Sequence, residues 1–307
     1  MFKENFPIHT LTSYSIGGQA RYFFEPKTEE ELKKAIEEAK KRNLEFLVIG
    51  GGTNLLVDDK GFPGLILKPS IDFVNSSGKE ISVGAGTSVA DVLDFSAEHG
   101  LSGLEWAGGL PGTVGGAVRG NAGAFGGEMK DAVKSVRSLD TKNLREIERN
   151  LSECDFGYRS SFFKKNPNDE IILSVVFGLN EGSSVDIRNS IDEKISYRKE
   201  RHPMEYPNAG SIFKNVDVRK IPASDVSQFA NVIKSDPFPV VPAAHIISEA
   251  GLKGVSSGGA MISPKHPNFI VNVLGAKSSD VKNLIDLIKS ETKKKFGIEL
   301  EEEIIMV

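Results

Sequence analysis

The sequence has little of what several protein classes require. It holds one cysteine, Cys154, which excludes an internal disulfide framework and suits a reducing compartment. Cys154 lies between Glu153 and Asp155, acidic neighbours that are expected to raise its thiol pKa, so it reads as a structural residue. The five histidines, at positions 9, 99, 202, 245 and 266, are scattered, with no H-E-x-x-H and no C-x-x-C, and no metal site is expected. An excess of one charge is also missing. The net charge of the 307 residues is −4 with both signs interspersed, so the chain carries no electrostatic footprint for nucleic acid. No window approaches the ~18 apolar residues of a membrane span. The opening Met-Phe-Lys-Glu-Asn-Phe-Pro has no apolar core of signal-peptide length. These absences lead to the expectation of a soluble, cytoplasmic globular protein with neither nucleic-acid nor membrane partner. The length allows two or three modest domains.

What is present is glycine, unevenly spread. Eleven of the 31 glycines fall between positions 100 and 127. Three more are consecutive in Leu47-Val-Ile-Gly-Gly-Gly-Thr-Asn-Leu-Leu-Val57. There an apolar run with strand character enters Gly50, Gly51 and Gly52, then Thr53, Asn54 and Leu55. Without a Cβ the backbone can take positive φ and lie close to a ligand, with successive N–H groups facing one concavity. Such a turn suits a phosphate; it also serves as a plain strand-to-strand turn. The common nucleotide motifs are absent. A P-loop needs Lys-Ser/Thr after its last glycine, and a G-x-G-x-x-G from Gly50 or Gly84 needs glycine where Leu55 and Val89 stand.

The dense stretch includes Gly112, Thr113, Gly115, Gly116, Asn121 and Gly123. It is too rich in glycine to predict ordinary helix or strand. Linkers are polar, whereas this stretch interleaves Leu, Val, Trp, Phe and Pro, which predicts an ordered loop whose backbone packs on a large flat ligand.

Hydrophobic periodicity predicts the frame. A strand over 20–25 is followed by a helix that opens with the capping box Thr28/Glu31 and carries Leu32, Ala35, Ile36 and Ala39 on one face. A strand over 44–49 then delivers the triple glycine to its C-terminal end, where open α/β sheets place ligands. Short β runs follow at 65–67, 71–74 and 80–83, then a helix over 88–100 ending at Gly100. Strands are expected at 135–139 and 171–177, and an amphipathic helix over 186–200. Beyond a Pro/Asn/Gly break come a short helix over 243–250 capped by the proline-rich run 237–242, and a glycine-bearing loop at 256–259. A strand over 269–273, a helix capped by Ser279 and stopping at Gly297, and a last strand over 299–306 complete the chain. Alternation along that strand would put Glu301 and Glu303 on one face. Arg159, flanked by aromatics in Phe156-Gly-Tyr-Arg-Ser-Ser-Phe-Phe163, has two readings. It is a surface residue packing its stem on a ring, or a carboxylate-binding arginine in an apolar wall.

Several stretches occur together in a familiar order: Tyr14-Ser-Ile-Gly-Gly-Gln-Ala20, Gly50-Gly-Gly-Thr-Asn-Leu-Leu56, Leu110-Pro-Gly-Thr-Val-Gly-Gly-Ala117 and Asn121-Ala-Gly-Ala-Phe-Gly-Gly-Glu128. Tyr158-Arg159, Gly210-Ser-Ile-Phe-Lys-Asn215, Gly251-Leu-Lys-Gly254 and Leu300-Glu-Glu-Glu-Ile304 follow. From about Thr12 onward the chain resembles the UDP-N-acetylenolpyruvoylglucosamine reductases (UDP-N-acetylmuramate dehydrogenases), flavoenzymes of bacterial peptidoglycan synthesis. The resemblance implies an α+β fold: a two-part FAD-binding domain of the vanillyl-alcohol-oxidase type, expected at 1–70 and 71–200, then an α/β UDP-sugar domain at 201–307 whose last strand returns to the flavin. It implies bound, non-covalent FAD held by Gly50 to Leu55 and by Gly112, Thr113, Gly115, Gly116, Asn121 and Gly123, with NADPH as co-substrate. Hydride would pass from flavin N5 to the enolpyruvyl ether. By motif position Ser211 would donate the proton, Arg159 and Glu303 would stabilise the enol intermediate, and Tyr158, Lys214 and Asn215 would contact substrate.

The spacing from Arg159 to Ser211 matches short members of the family, without an extra tyrosine-bearing loop. Ile305 stands where the family commonly has arginine, and Gly120 where it commonly has methionine. A monomer is expected. The alternatives are a flavin- or nucleotide-sugar-binding regulator without catalysis, or another oxidoreductase of the same flavin fold.

Overall fold

A computed structural model describes residues 1–221, 226–235 and 238–307; Pro237, the first residue of the proposed proline-rich cap, lies outside them. The chain forms two compact units. The first contains residues 1–6, 20–51 and 63–198, and the second 7–19, 52–62 and 199–307.

In the first unit the sequence signals translate directly into structure. The helix Glu29–Lys41 begins where the Thr28 hydroxyl accepts the Glu31 N–H at 3.2 Å, and its apolar stripe Leu32, Ala35, Ile36 and Ala39 is buried. That stripe packs with Leu65, Leu67, Leu139, Ile171 and Leu173 in one core. The strands Lys3–Pro7, Gln19–Phe24, Phe62–Leu67 and Phe46–Val48 form a sheet in that order, the last two parallel. A second, antiparallel sheet runs Glu146–Asn150, Val133–Asp140, Glu170–Gly178, Glu80–Gly84 and Val74–Ser77. It carries the second core of this unit, where Val83, Val136, Val175 and Phe177 meet Val89, Val92 and Leu93 of the helix Val89–Glu98. Ser88 caps that helix at Asp91 N–H, and Gly100 takes φ 65° just past its end. The helix Ser184–Arg201 closes the unit and leads into the next.

In the second unit, the helices Ala243–Glu249 and Ser278–Phe296 pack with a three-stranded sheet, Ser256–Ser257, Ala260–Ile262 and Ile270–Asn272, over one core. Tyr14 is fully buried in this core and donates its hydroxyl to Ile270 O at 2.8 Å. Burial drives its phenol pKa well above the ordinary value. The segment 52–62 is tied to the long helix through Asp59, whose carboxylate accepts both Ser278 N–H and Oγ–H at 2.9 Å.

Five expectations are corrected. The β run at 71–74 is not a strand; Ile71 is buried in a loop and pairing begins at Val74. The glycine stretch is not loop throughout: Val114–Gly120 is helical, capped by Thr113, and its Gly115 is needed because a Cβ there would stand 2.9 Å from Ala85 Cβ. The loop at 256–259 is a β-hairpin turning at Gly258, which has φ 51°. Only Ile305–Met306 of the last predicted strand is a strand. Its upstream part changes partner. Glu301 O accepts Lys214 N–H and Glu303 N–H reaches Ile212 O, whereas Ile305 N–H bonds Asn54 O. Ser278, not Ser279, opens the long helix, with Lys277 as its N-cap.

Candidate active site

The predicted residues divide between the units. Gly50, Gly51, Gly112, Thr113, Gly115, Gly116, Asn121, Gly123, Tyr158 and Arg159 belong to the first; Gly52, Thr53, Asn54, Leu55, Ser211, Lys214, Asn215 and Glu303 belong to the second.

In the first unit, the two glycine stretches touch. A Cβ built on Gly50 would lie 2.6 Å from Thr113 Oγ1, and one on Gly51 2.6 Å from Gly112 Cα. No side chain fits between these backbones. Among the described residues, the N–H groups of Gly50, Gly51, Gly112 and Thr113 donate no hydrogen bond to the protein. Closely packed backbone with unspent donors fits a phosphate-bearing, flat cofactor. In the second unit the N–H groups of Gly52, Thr53 and Asn54 also donate none among the described residues. Gly52 takes φ 64°, and a Cβ there would collide with the Leu11 carbonyl. The Asn54 side chain instead donates to Glu303 O at 3.1 Å, and Leu55 pairs with Ile305.

Arg159 sits in a strained turn, with φ 54° for a non-glycine residue. Its Nη2 donates to Gly123 O at 2.7 Å, and its guanidinium lies 5.1 Å from the Tyr158 ring centre. Gly123 makes this possible, because a Cβ there would stand 3.1 Å from Arg159 Nη1. Asn121, left-handed at φ 44° and fully buried, holds the turn from below. It donates to Gly157 O at 2.9 Å and to Glu128 Oε2 at 3.2 Å, and accepts Lys130 N–H at 3.1 Å. Its side chain is thus committed within the protein.

The sequence reading missed Arg198. Its Nε donates to Gly108 O at 2.8 Å, its guanidinium lies 5.3 Å from the Phe125 ring, and its buried Nη2 has no partner among the described residues. Burial, and then the charge of Arg159, lower its pKa. Two guanidiniums that repel each other favour an anionic ligand beside them. The only available signal was an arginine near the end of a helix, which usually marks a solvated face.

In the second unit, Ser211 is half-buried, and its hydroxyl has no hydrogen-bond partner among the described residues. It follows Gly210, which takes φ 77° and donates its N–H to Asn208 Oδ1 at 3.0 Å. The 2.8 Å bond from Glu303 N–H to Ile212 O sets Glu303 one residue away from Ser211 across the pairing. The Lys214 ammonium pairs with Glu301, and Asn215 Oδ1 accepts Ala243 N–H at 3.2 Å. Cys154 is buried, and burial, ahead of its acidic neighbour Glu153, pushes its thiol up to about 11. Among the described residues, no His/Cys/Asp/Glu group is placed to hold a metal, and no helix is long and apolar enough to cross a membrane.

Two family models match the chain: an FAD binding domain over residues 20–143, and the C-terminal domain of UDP-N-acetylenolpyruvoylglucosamine reductase over 202–307. The UDP-N-acetylenolpyruvoylglucosamine reductase of Carboxydothermus hydrogenoformans is 39% identical over 97% of this chain and 91% of its own length. The enzyme of the same name from Lactobacillus acidophilus is 35% identical over 99% and 94%. The crystal structure of the Thermus caldophilus reductase superposes with a TM-score of 0.79 at 32% identity, covering 100% of this chain and 99% of that one. Likeness of this extent, over both the glycine-lined unit and the Ser211 unit, means that the chain belongs to the UDP-N-acetylenolpyruvoylglucosamine reductase family.

Proposed function

We propose that this chain reduces the enolpyruvyl ether of UDP-N-acetylglucosamine-enolpyruvate to UDP-N-acetylmuramate in peptidoglycan precursor synthesis, with Ser211 delivering the proton. The chain is an FAD-containing oxidoreductase with NADPH as co-substrate. When bound, FAD reduced by NADPH supplies hydride from N5 to the methylene carbon of the ether. Gly50 to Leu55 and Gly112, Thr113, Gly115, Gly116, Asn121 and Gly123 are proposed to hold it, and the packed backbones at Gly50, Gly51, Gly112 and Thr113 support this.

Addition of hydride leaves negative charge on the carbon beside the carboxylate and on the carboxylate itself. A guanidinium binds a carboxylate through two parallel N–H bonds, and Arg159 is proposed for that task, with Glu303 completing the pair that stabilises the enol form. A serine hydroxyl is a weak acid against ordinary bases, but a carbanion is basic enough to take its proton. Tyr158, Lys214 and Asn215 are proposed as substrate contacts. The division of labour we propose assigns 1–70 and 71–200 to FAD and 201–307 to the UDP-sugar. We also propose a cytoplasmic monomer that acts without nucleic-acid or membrane partners; the interspersed charge and net −4 support the absence of a nucleic-acid partner, and sedimentation would test the monomer.

The observation that carries the Ser211 assignment is a half-buried hydroxyl without a hydrogen-bond partner among the described residues, pinned one residue from Glu303 by main-chain bonds. Nothing local makes it a nucleophile, since no G-x-S-x-G elbow surrounds it. Ser211→Ala is expected to leave flavin reduction by NADPH nearly unchanged and to slow reoxidation by the enolpyruvyl substrate at least ~10²-fold, the usual scale for removing a general acid. Equal loss in both half-reactions would refute the assignment.

A further inference from the structure

We infer that Asn268 is a positioning residue for Ser211, acting through the main chain of Ile212 and Phe213. The inference rests on the reading of Ser211 as the proton donor. Asn268 is 3% exposed, in a loop between the strands Ala260–Ile262 and Ile270–Asn272. Its side-chain Oδ1 accepts the Phe213 N–H at 3.0 Å, and its Nδ2 donates to the Phe213 carbonyl at 2.8 Å. Its own carbonyl accepts the Ile212 N–H, also at 2.8 Å. One asparagine thus takes the part of a neighbouring strand, with a planar amide offering one donor and one acceptor to one residue.

The opposite edge of the same segment is held by the chain that carries Glu303. Ile212 O accepts Glu303 N–H at 2.8 Å, and Glu301 O accepts Lys214 N–H at 2.9 Å. Ile212 and Phe213 are themselves buried. Ser211 therefore leaves a clamped segment on one side and the left-handed turn at Gly210 on the other. Its hydroxyl has no hydrogen bond of its own to fix it among the described residues, so its placement depends on that clamp.

Asn268 is in turn held by its loop. Ser263 Oγ accepts the N–H groups of Lys265 and His266 at 3.2 and 3.3 Å, and Ser263 N–H bonds Phe269 O at 2.8 Å. Such a self-bonded turn presents the amide in one orientation. Asparagine satisfies both groups of Phe213 with one planar, neutral amide, and the extra methylene of glutamine would displace that amide in a buried site.

Proton transfer is steep in distance, and a misplacement of ~1 Å costs on the order of 10²-fold. In the FAD-loaded, full-length protein, Asn268→Ala is expected to slow flavin reoxidation by the enolpyruvyl substrate about 10²-fold. Flavin reduction by NADPH should stay within about twofold. The double variant with Ser211→Ala should be no slower than Ser211→Ala alone, since a positioning residue has nothing left to position. Independently of turnover, hydrogen exchange at the Phe213 amide should quicken in Asn268→Ala, because that N–H loses its acceptor.

If the alanine variant does not fold, Asn268→Asp keeps the volume and the acceptor but sets an acceptor against the Phe213 carbonyl, and the same kinetic pattern is expected. Equal slowing of both half-reactions, additive slowing in the double variant, an unchanged Phe213 amide, or failure of both variants to fold would each overturn the inference. The outcomes also separate the two readings. If Ser211→Ala reoxidises normally, the proton-donor reading fails. If Ser211→Ala is crippled while Asn268→Ala behaves as wild type, only the role of Asn268 fails.

Discussion

Gly51→Ala isolates the contact between the two glycine stretches. Gly51 does not have a positive φ, so alanine fits the local backbone, and any effect comes from the space its methyl needs. That space is filled by backbone: the new Cβ would lie 2.6 Å from Gly112 Cα and 3.3 Å from Gly112 C, which cannot rotate away as a side chain would. Overpacking that forces backbone apart costs about 1–3 kcal/mol. If a cost of ~2 kcal/mol falls on the flavin-bound state, FAD affinity drops about 30-fold at 1.4 kcal/mol per decade. If it falls on the fold itself, the melting temperature drops by about 4–8 °C, at roughly 2–4 °C per kcal/mol for a protein of this size class.

Fluorescence titration of apoprotein with FAD, paired with thermal melts with and without flavin, separates the two cases. Gly120→Ala is the control, with nothing within 4 Å of its Cβ and a place at the end of the helix Val114–Gly120, where alanine favours helix. It should bind FAD as the wild type does and melt at the same temperature or slightly higher. Wild-type affinity and melting in Gly51→Ala would refute the claim that these backbones must touch.

Two further expectations concern buried groups outside the proposed chemistry. Tyr14→Phe removes the buried donor to Ile270 O, which should cost about 1–3 kcal/mol in urea unfolding. Because burial raises the Tyr14 pKa in the folded state, the wild type keeps that proton while the unfolded chain loses it above ~10. Stability is therefore full below pH ~10 and falls as pH rises beyond it; Tyr14→Phe should show a shallower alkaline loss, and an identical slope would contradict the assignment. Cys154, buried with a thiol raised to about 11, should resist a disulfide reagent at neutral pH in the native state and react promptly after denaturation. Rapid native labelling would count against its placement.

Much of the frame was legible because the signals were local. Thr28 with Glu31, and Ser88 before an apolar stripe, mark helix starts by bonds made within four residues, and Gly100 and Gly297 mark helix ends by φ alone. What could not be read depends on partners far away in sequence. Gly115 and Gly116 argue against helix by propensity, yet Val114–Gly120 is helical with Thr113 as its cap, and glycine stands at 115 because a Cβ there would meet Ala85. The stretch ending in Ile305–Met306 reads as one strand, yet it changes partner between Ile212 and Asn54.

The candidate site shows the same division. Arg159, Ser211 and Glu303 could be named through ordered motifs, whereas Arg198 and Asn268 have no pattern around them. An isolated arginine or asparagine acquires meaning only from the carbonyls, rings and N–H groups that folding brings to it. The attachment of residues 7–19 and 52–62 to the second unit is of that kind, resting on bonds such as Ser13 Oγ–H to Asn208 O at 2.7 Å and Asp59 to Ser278.

The most direct test of the central claim is an anaerobic reoxidation trace on the purified, FAD-loaded protein. Flavin reduced with one equivalent of NADPH should stay reduced in buffer and regain its oxidised absorbance when UDP-N-acetylglucosamine-enolpyruvate is added, with one equivalent of UDP-N-acetylmuramate formed. A protein that binds no FAD, or whose reduced flavin is indifferent to the enolpyruvyl substrate, would contradict the account.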